Sequence, residues 1–255
     1  MGPIMIDLKI DDGIAVVTIA HGKANVLDVE LCEALTKCFE ELRASDVKAV
    51  VITGQGRMFS AGVDLVRVSS GGADYVRKLL PVMNRMFDAV FFLPKPVVAA
   101  VNGHAIAGGC VLTCCADRRL MARGGGRIGV TELLVGVPFP ALAFEIVRAT
   151  VPPRHLAEFT VGGATYEADE ALSRGWVDEI MEADALMANV MAAAHRLASL
   201  SPVAFAHTKA QMRQPIIERL ERSGVAIDKI ATEIWVAAET LGHIRDYVAR
   251  TLKKA

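Results

Sequence analysis

Phe59-Ser60-Ala61-Gly62-Val63-Asp64-Leu65 and Asn102-Gly103-His104-Ala105-Ile106-Ala107-Gly108-Gly109-Cys110 each follow a β-branched apolar run. The runs, Lys48-Ala49-Val50-Val51-Ile52-Thr53 and Pro96-Val97-Val98-Ala99-Ala100-Val101, read as buried parallel strands that end in tight glycine turns. Glycine allows close approach of the backbone and positive φ, and a helix beginning just after such a turn adds the positive end of its dipole. The two turns therefore predict backbone N–H groups facing one ligand atom, the geometry of an oxyanion hole.

On either side of these turns the pattern is α/β. Residues 4–10 and 13–20 alternate like a hairpin joined at Asp11-Asp12, and Asp28 caps an amphipathic helix running to about residue 43. A helix is expected over residues 73–92, stopped by Pro94 and Pro96, then a short buried helix over 108–116 and strands over 118–122 and 127–130. Strand, turn and helix in succession argue a parallel sheet with right-handed crossovers. Arg123-Gly124-Gly125-Gly126 reads as a surface turn. From Ser201-Pro202 onward the pattern is helical, with a break expected at Leu241-Gly242. This divides the chain into an α/β core, residues 1–199, and a helical region, residues 200–255, whose apolar face (Val225, Ile227, Ile230, Ile234, Trp235, Ala238, Leu241) calls for a partner.

Of 255 residues, 53% are apolar and 22% charged, enough to bury a sizeable core, and the formal net charge of −1 gives no field to gather nucleic acid or an anionic membrane. The apolar stretch over 97–116 is broken by Asn102, His104 and glycines, a poor membrane span. Neither the N-terminal residues nor Leu252-Lys253-Lys254-Ala255 read as a targeting signal, which leads to the expectation of a cytoplasmic protein. Five cysteines without secretory context imply no disulfide framework. Cys110 and Cys114 share a helix face, but no further ligand pair completes a metal site, so the Cys110, Cys114 and Cys115 cluster reads as core. His21 and His104 lack a paired nucleophile and read as structural. No serine sits in G-x-S-x-G, and no P-loop occurs.

The forms F-S-A-G-x-D-L and N-G-x-A-x-x-G-G-C, with Glu132 downstream in Ile128-Gly129-Val130-Thr131-Glu132-Leu133-Leu134-Val135-Gly136, resemble the crotonase family, also called the enoyl-CoA hydratase/isomerase family. The resemblance covers nearly the whole chain and implies a crotonase (ClpP/crotonase-like) spiral core with a C-terminal helical region for oligomerisation. It further implies that the amides of Val63 and Gly108 hold a thioester oxygen and that Glu132 is the acid–base. Ala61, Asp64 and Leu65 of the first motif would line the acyl-CoA site, although Asp64 also reads as a helix cap. Lys23, beside Ala24, and Arg67 are the candidate cations for the CoA phosphates. Tyr247 and Arg250 match the spacing of an aromatic and a basic residue that the family usually takes from a neighbouring subunit's last helix. The implied partners are an acyl-CoA thioester and further copies of the chain in a homotrimer or dimer of trimers. Coenzyme A belongs to the substrate, and no separate cofactor or metal is expected.

Three departures bear on the reaction. The family's hydratases carry a second Glu directly after G-G-C, where this chain has Val111. Ala107 stands where they usually carry a glycine, and Val137-Pro138-Phe139-Pro140 replaces the usual P-G-x-G-G-T stretch. A lone Glu makes the chain more similar to the family's 3,2-enoyl-CoA isomerases, and 3-enoyl-CoA to 2-enoyl-CoA isomerisation in fatty-acid or related acyl-CoA metabolism is the expected reaction. The alternatives are enoyl-CoA hydration, another enolate reaction of the family such as decarboxylation, dehalogenation or thioester hydrolysis, and a non-catalytic CoA-binding or scaffold role.

Overall fold

Strands β3 (Ala49–Gly54) and β5 (Val97–Val101) are buried at every position, as strands covered on both faces must be. In the computed structural model, which describes residues 5–251, they form the centre of a six-stranded sheet. Ile4, first residue of the expected hairpin, and Leu252-Lys253-Lys254-Ala255 lie outside the described residues. The sheet runs β1 (Ile6–Asp11), β2 (Ile14–Ile19), β3, β5, β7 (Arg118–Ala122), β9 (Glu179–Met181), parallel throughout except for the β1–β2 hairpin. The hairpin turns one residue later than Asp11-Asp12. Asp12 and Gly13 take positive φ (43° and 74°), as a two-residue turn between twisted strands requires, and Asp11 pairs with Ile14.

A second, three-stranded parallel sheet comprises β4 (Met58–Ser60), β6 (His104–Ile106) and β8 (Ile128–Gly129). Three times the chain lays a strand in the large sheet, crosses to the small one and leaves as a helix. The three successors are α2 (Leu65–Phe91), α3 (Gly108–Cys114) and, after a 3-10 turn at Glu132–Val135, α4 (Ala141–Thr150). This repetition is the spiral core that the motifs imply. Arg123-Gly124-Gly125-Gly126 forms its third crossing. Together with α1 (Val29–Ala44), these helices cover one face of the large sheet; α5 (Leu156–Gly162) and α6 (Ala168–Arg174) lead to β9. The other face packs Ile14, Val51, Val98 and Leu120 against Leu186 and Val190 of α7 (Leu186–Ala198).

Two helix boundaries depart from expectation. Asp64 caps α2 by accepting from Arg67 N (3.0 Å), so the helix begins at Leu65 and not near 73, and it kinks at Gly72, which stands at φ 58°. The helical tail starts at Ser201-Pro202 as expected, forming α8 (Pro202–Val236) and α9 (Ala238–Thr251), but the break falls at Ala237, whose ψ of 141° is extended. Leu241 and Gly242 sit inside α9 because Leu241 packs into the core and holds the helix through the glycine.

A charged cluster fixes α8 to the core. Lys209 Nζ donates to Asp117 Oδ2 (2.7 Å) and to the carbonyl of Lys95 (2.9 Å), and Arg213 donates to Asp117 Oδ1 (2.9 Å) while its guanidinium lies 3.9 Å from the ring centre of Phe91. Asp117 Oδ2 also accepts from Val97 N (2.8 Å), at the start of β5. Further along, Trp235 and Ala231 are buried, whereas Val225, Ile227, Ile230 and Ile234 are exposed, so the apolar face expected of the tail divides between the chain's own core and the surface. Among the described residues, no helix is long and apolar enough to cross a membrane. No group of three or more His, Cys, Asp or Glu among them is placed to hold a metal ion, and all five cysteines are buried and unpaired.

Candidate active site

The two glycine turns meet backbone to backbone. A methyl group on Gly62 would lie 3.0 Å from Gly108 N and 2.7 Å from the carbonyl oxygen of Ile106. Ser60 folds the first turn: its hydroxyl donates to Asn25 O (2.7 Å) and accepts from Gly62 N (3.2 Å). Buried Asn25, at φ 47°, donates from Nδ2 to Met58 O (2.8 Å) and Phe59 O (3.2 Å), which stitches the Lys23–Ala24 turn to β4. In the parallel bridge between Leu27 and Val63, Leu27 N donates to Gly62 O (2.8 Å) and Asp64 N donates to Leu27 O (3.1 Å), so the Val63 N–H points away from the bridge. Gly108 opens α3, and the amide of a first helical residue has no partner within its own helix.

Ala107, just before α3, is held at φ 51°, ψ −124° by donation from its amide to Gly129 O (2.9 Å) and by Val111 N donating to its carbonyl (3.0 Å). A residue with a Cβ pays about 1–3 kcal/mol for such a conformation. Gly109 has no such latitude, since an added methyl would stand 2.3 Å from the Ser60 carbonyl oxygen and 2.8 Å from its carbon. Gly109→Ala is therefore expected to push α3 off the first turn and reduce turnover at least as much as loss of one amide donor would, about 10²-fold. Steady-state kinetics with folding checked by circular dichroism measures it, and near-normal turnover would contradict the close contact.

The turns open onto a cavity of about 410 Å³. Ala61, Val63, Asp64, Leu65 and Gly108 line it from the motifs, with Ala24 beside them, and Glu132 projects from the 3-10 turn. Glu132 is 9% exposed and its Oε2 is buried without a hydrogen-bond partner. Burial disfavours its charged form and pushes its pKa up from 4.5 to about 7; the amides of Glu132 and Thr131 pull the other way without offsetting it. The cavity's other carboxylate, Asp64, is engaged as the cap of α2, and Val111 presents only hydrocarbon.

The candidate CoA contacts divide. Tyr247 lines the cavity of its own chain, delivered by α9 folding back. Arg250 is exposed, outside the lining, with Nε donating to Asp246 O (3.3 Å). Lys23 is exposed in the turn next to Ala24. Arg67 is occupied: it pairs bidentately with Glu30, donates to Asp28 (3.1 Å) and lies 5.0 Å from the Tyr75 ring centre. That pair holds the Glu30 carboxyl down at about 2. His21 contacts Asp28 (2.7 Å), and His104 accepts from Arg127 N (3.2 Å), both in structural positions.

Sequence reasoning missed two groups. Asn25 and Ser60 shape the first turn, and the signal was their polarity inside an apolar stretch. Met83, Phe87 and Val135 form the apolar wall with Phe139 and Trp235, and nothing in the sequence separates the first three from core.

Residues 9–239 match the enoyl-CoA hydratase/isomerase family. The chain belongs to that family. It is 30% identical over 202 residues to a Mycobacterium tuberculosis protein named a probable enoyl-CoA hydratase, covering 78% of this chain and 77% of that one. It is 29% identical over 246 residues to the mitochondrial Δ(3,5)-Δ(2,4)-dienoyl-CoA isomerase of Rattus norvegicus, covering 91% and 74%. The crystal structure of human mitochondrial Δ3-Δ2-enoyl-CoA isomerase superposes with a TM-score of 0.93 over 98% of this chain and 99% of the other, at 22% identity, a likeness of fold alone. Hydratase and isomerase names both occur among these relatives, so membership of the family implies acyl-CoA chemistry without choosing the reaction.

Proposed function

We propose that the chain isomerises 3-enoyl-CoA thioesters to 2-enoyl-CoA thioesters. The observation that carries this reading is a cavity with one disengaged carboxylate, Glu132, opposite apolar Val111. The Val63 and Gly108 amides donate to the thioester oxygen. Glu132 takes a proton from C2, the electron pair delocalises over the dienolate, and the same carboxyl returns the proton at C4 as the double bond moves to C2–C3. Atoms and charge balance with one base, and neither a metal nor a redox group enters the step. Each amide donor supports the developing oxyanion by about 3 kcal/mol. Because Glu132 must start ionised, turnover rises through about pH 7.

Hydration of a 2-enoyl-CoA asks for one group to orient water and another to deliver a proton to C2. Val111 can do neither. The exposed Lys23 is the cation left to meet the CoA phosphates, with Tyr247 beside the ligand. The exposed row Val225, Ile227, Ile230 and Ile234 supports contact with further copies in a homotrimer or dimer of trimers.

The test follows both products from purified protein. Conversion of 3-enoyl-CoA should exceed hydration of the 2-enoyl product, and Val111→Glu should raise hydration. Efficient hydration with negligible isomerisation by the unaltered chain would overturn the reading in favour of a hydratase.

A further inference from the structure

A second cavity, of about 330 Å³, lies behind the first, and Phe139 is the one residue that lines both. The segment that departs from the hydratase pattern forms the partition between them: Val137 and Pro140 face the first cavity, Pro138 faces the second, and the Phe139 ring stands in the wall. The backbone of this wall is pinned at both ends. Trp235 Nε1 donates to Pro138 O (2.9 Å), and Ala141 N donates to Asp228 Oδ1 (2.8 Å). The ring itself is only half-buried and rests edge-on against Phe144, with centroids 6.0 Å apart. In a wall whose backbone is held, the Phe139 side chain is the part shared by both cavities.

The chemistry of the two spaces matches. The part of the first cavity beyond Glu132, walled by Val111, Phe87, Val137 and Ala143, offers a thioester's tail hydrocarbon contacts, and the second continues them with Leu133, Phe144, Leu220 and Ile227. Its carboxylate, Glu145, pairs with both of its cations, Arg219 (2.7 Å) and Arg148 (3.2 Å), at the rim, which leaves one positive charge in excess.

We propose that the second cavity is a site for the distal part of a long acyl chain, and that Phe139 is the residue that sets chain-length specificity by closing it. This deepens the proposed function and rests on it for the identity of the ligand as an acyl-CoA. A tail that ends before Phe139 is accommodated in the first cavity; a longer one must displace the ring.

Calorimetric titration with saturated acyl-CoAs from butanoyl to hexadecanoyl tests this without turnover. Affinity for the unaltered protein should rise by about fourfold per methylene, the scale of burying one CH₂, and then level off. Phe139→Ala should extend the rise by at least two carbons, raising the ratio of long-chain to short-chain affinity by about tenfold or more over that of the unaltered protein. Val161 is an exposed residue at the lip of the second cavity, so Val161→Arg is tolerated by the fold and places a charge where the tail would lie. Added to Phe139→Ala, it should remove the long-chain gain alone. Parallel chain-length profiles for the unaltered and Phe139→Ala proteins, or a gain that survives Val161→Arg, would overturn the proposal. The expected profiles in a protein that binds but does not isomerise would uphold it and overturn the reaction assigned above, and failure to bind any acyl-CoA would overturn both.

Discussion

Glu132→Gln is expected to lower turnover by at least about 10²-fold while leaving acyl-CoA binding intact and making the protein more stable in alkaline buffer. The first effect follows from loss of the one disengaged carboxylate that the described residues place in the cavity. The second follows from linkage. The folded chain keeps a proton on Glu132 up to about pH 7, whereas the unfolded chain releases it near 4.5, so the folded state binds more protons in that window and its stability falls as pH rises through it. Above pH 7 the native protein therefore carries a penalty of up to about 3 kcal/mol that a neutral amide does not. Urea unfolding of both proteins at several pH values measures it: the variant's advantage should be largest above pH 7 and shrink towards 4.5. Equal stability at all pH values, or undiminished turnover, would show that Glu132 is not the desolvated base described here.

Asp117→Asn should be the most damaging conservative change away from the cavity. One carboxylate receives Lys209, Arg213 and the Val97 amide, and both cations are buried. Removing the charge strands two cations, and breaking a buried pair costs about 3–5 kcal/mol. The loss should concentrate where α8 meets β5, giving faster amide exchange in the first half of α8 than in β2 or β3. Burial already pushes Lys209 down from 10.5 to about 8 with Asp117 opposing the shift, so without Asp117 the lysine sheds its proton at lower pH. The unfolded chain then binds more protons than the folded one across neutral and mildly alkaline pH, and the deficit should narrow as pH is raised. Lys209→Met added to Asp117→Asn removes one stranded cation and should recover part of the loss. A midpoint shift in urea worth under about 1 kcal/mol would mean that the cluster is solvated in solution.

The spiral core and the cavity's polar residues were legible because they depend on local chemistry. A β-branched run followed by Gly62 or Gly108 sets its own turn, and Asp28 and Asp64 cap the helices they precede. What sequence could not show depends on long-range geometry. Arg67 reads as a free cation until Glu30, which reaches it from the first turn of α1, is seen to engage it. The break between α8 and α9 falls at Ala237 and not at Gly242, because burial of Leu241 and Ile244 outweighs a glycine's local preference. Tyr247 was legible as an aromatic of the last helix, but its return to its own chain's cavity is decided by how α9 packs on α2 and the Glu132 turn.

The cavity draws its walls from Ala24 at one end of the chain and Tyr247 near the other. A chain still being synthesised can assemble its strands in order, since domains build up from the N-terminus as they emerge, yet it cannot enclose a thioester until α9 has left the ribosome. Contacts between such distant residues also form late, after the entropy of closing so long a loop has been overcome. Fragments from truncated messages that end before α9 should therefore be inert towards acyl-CoA, and competence should arrive in one step, when α9 packs onto the cavity.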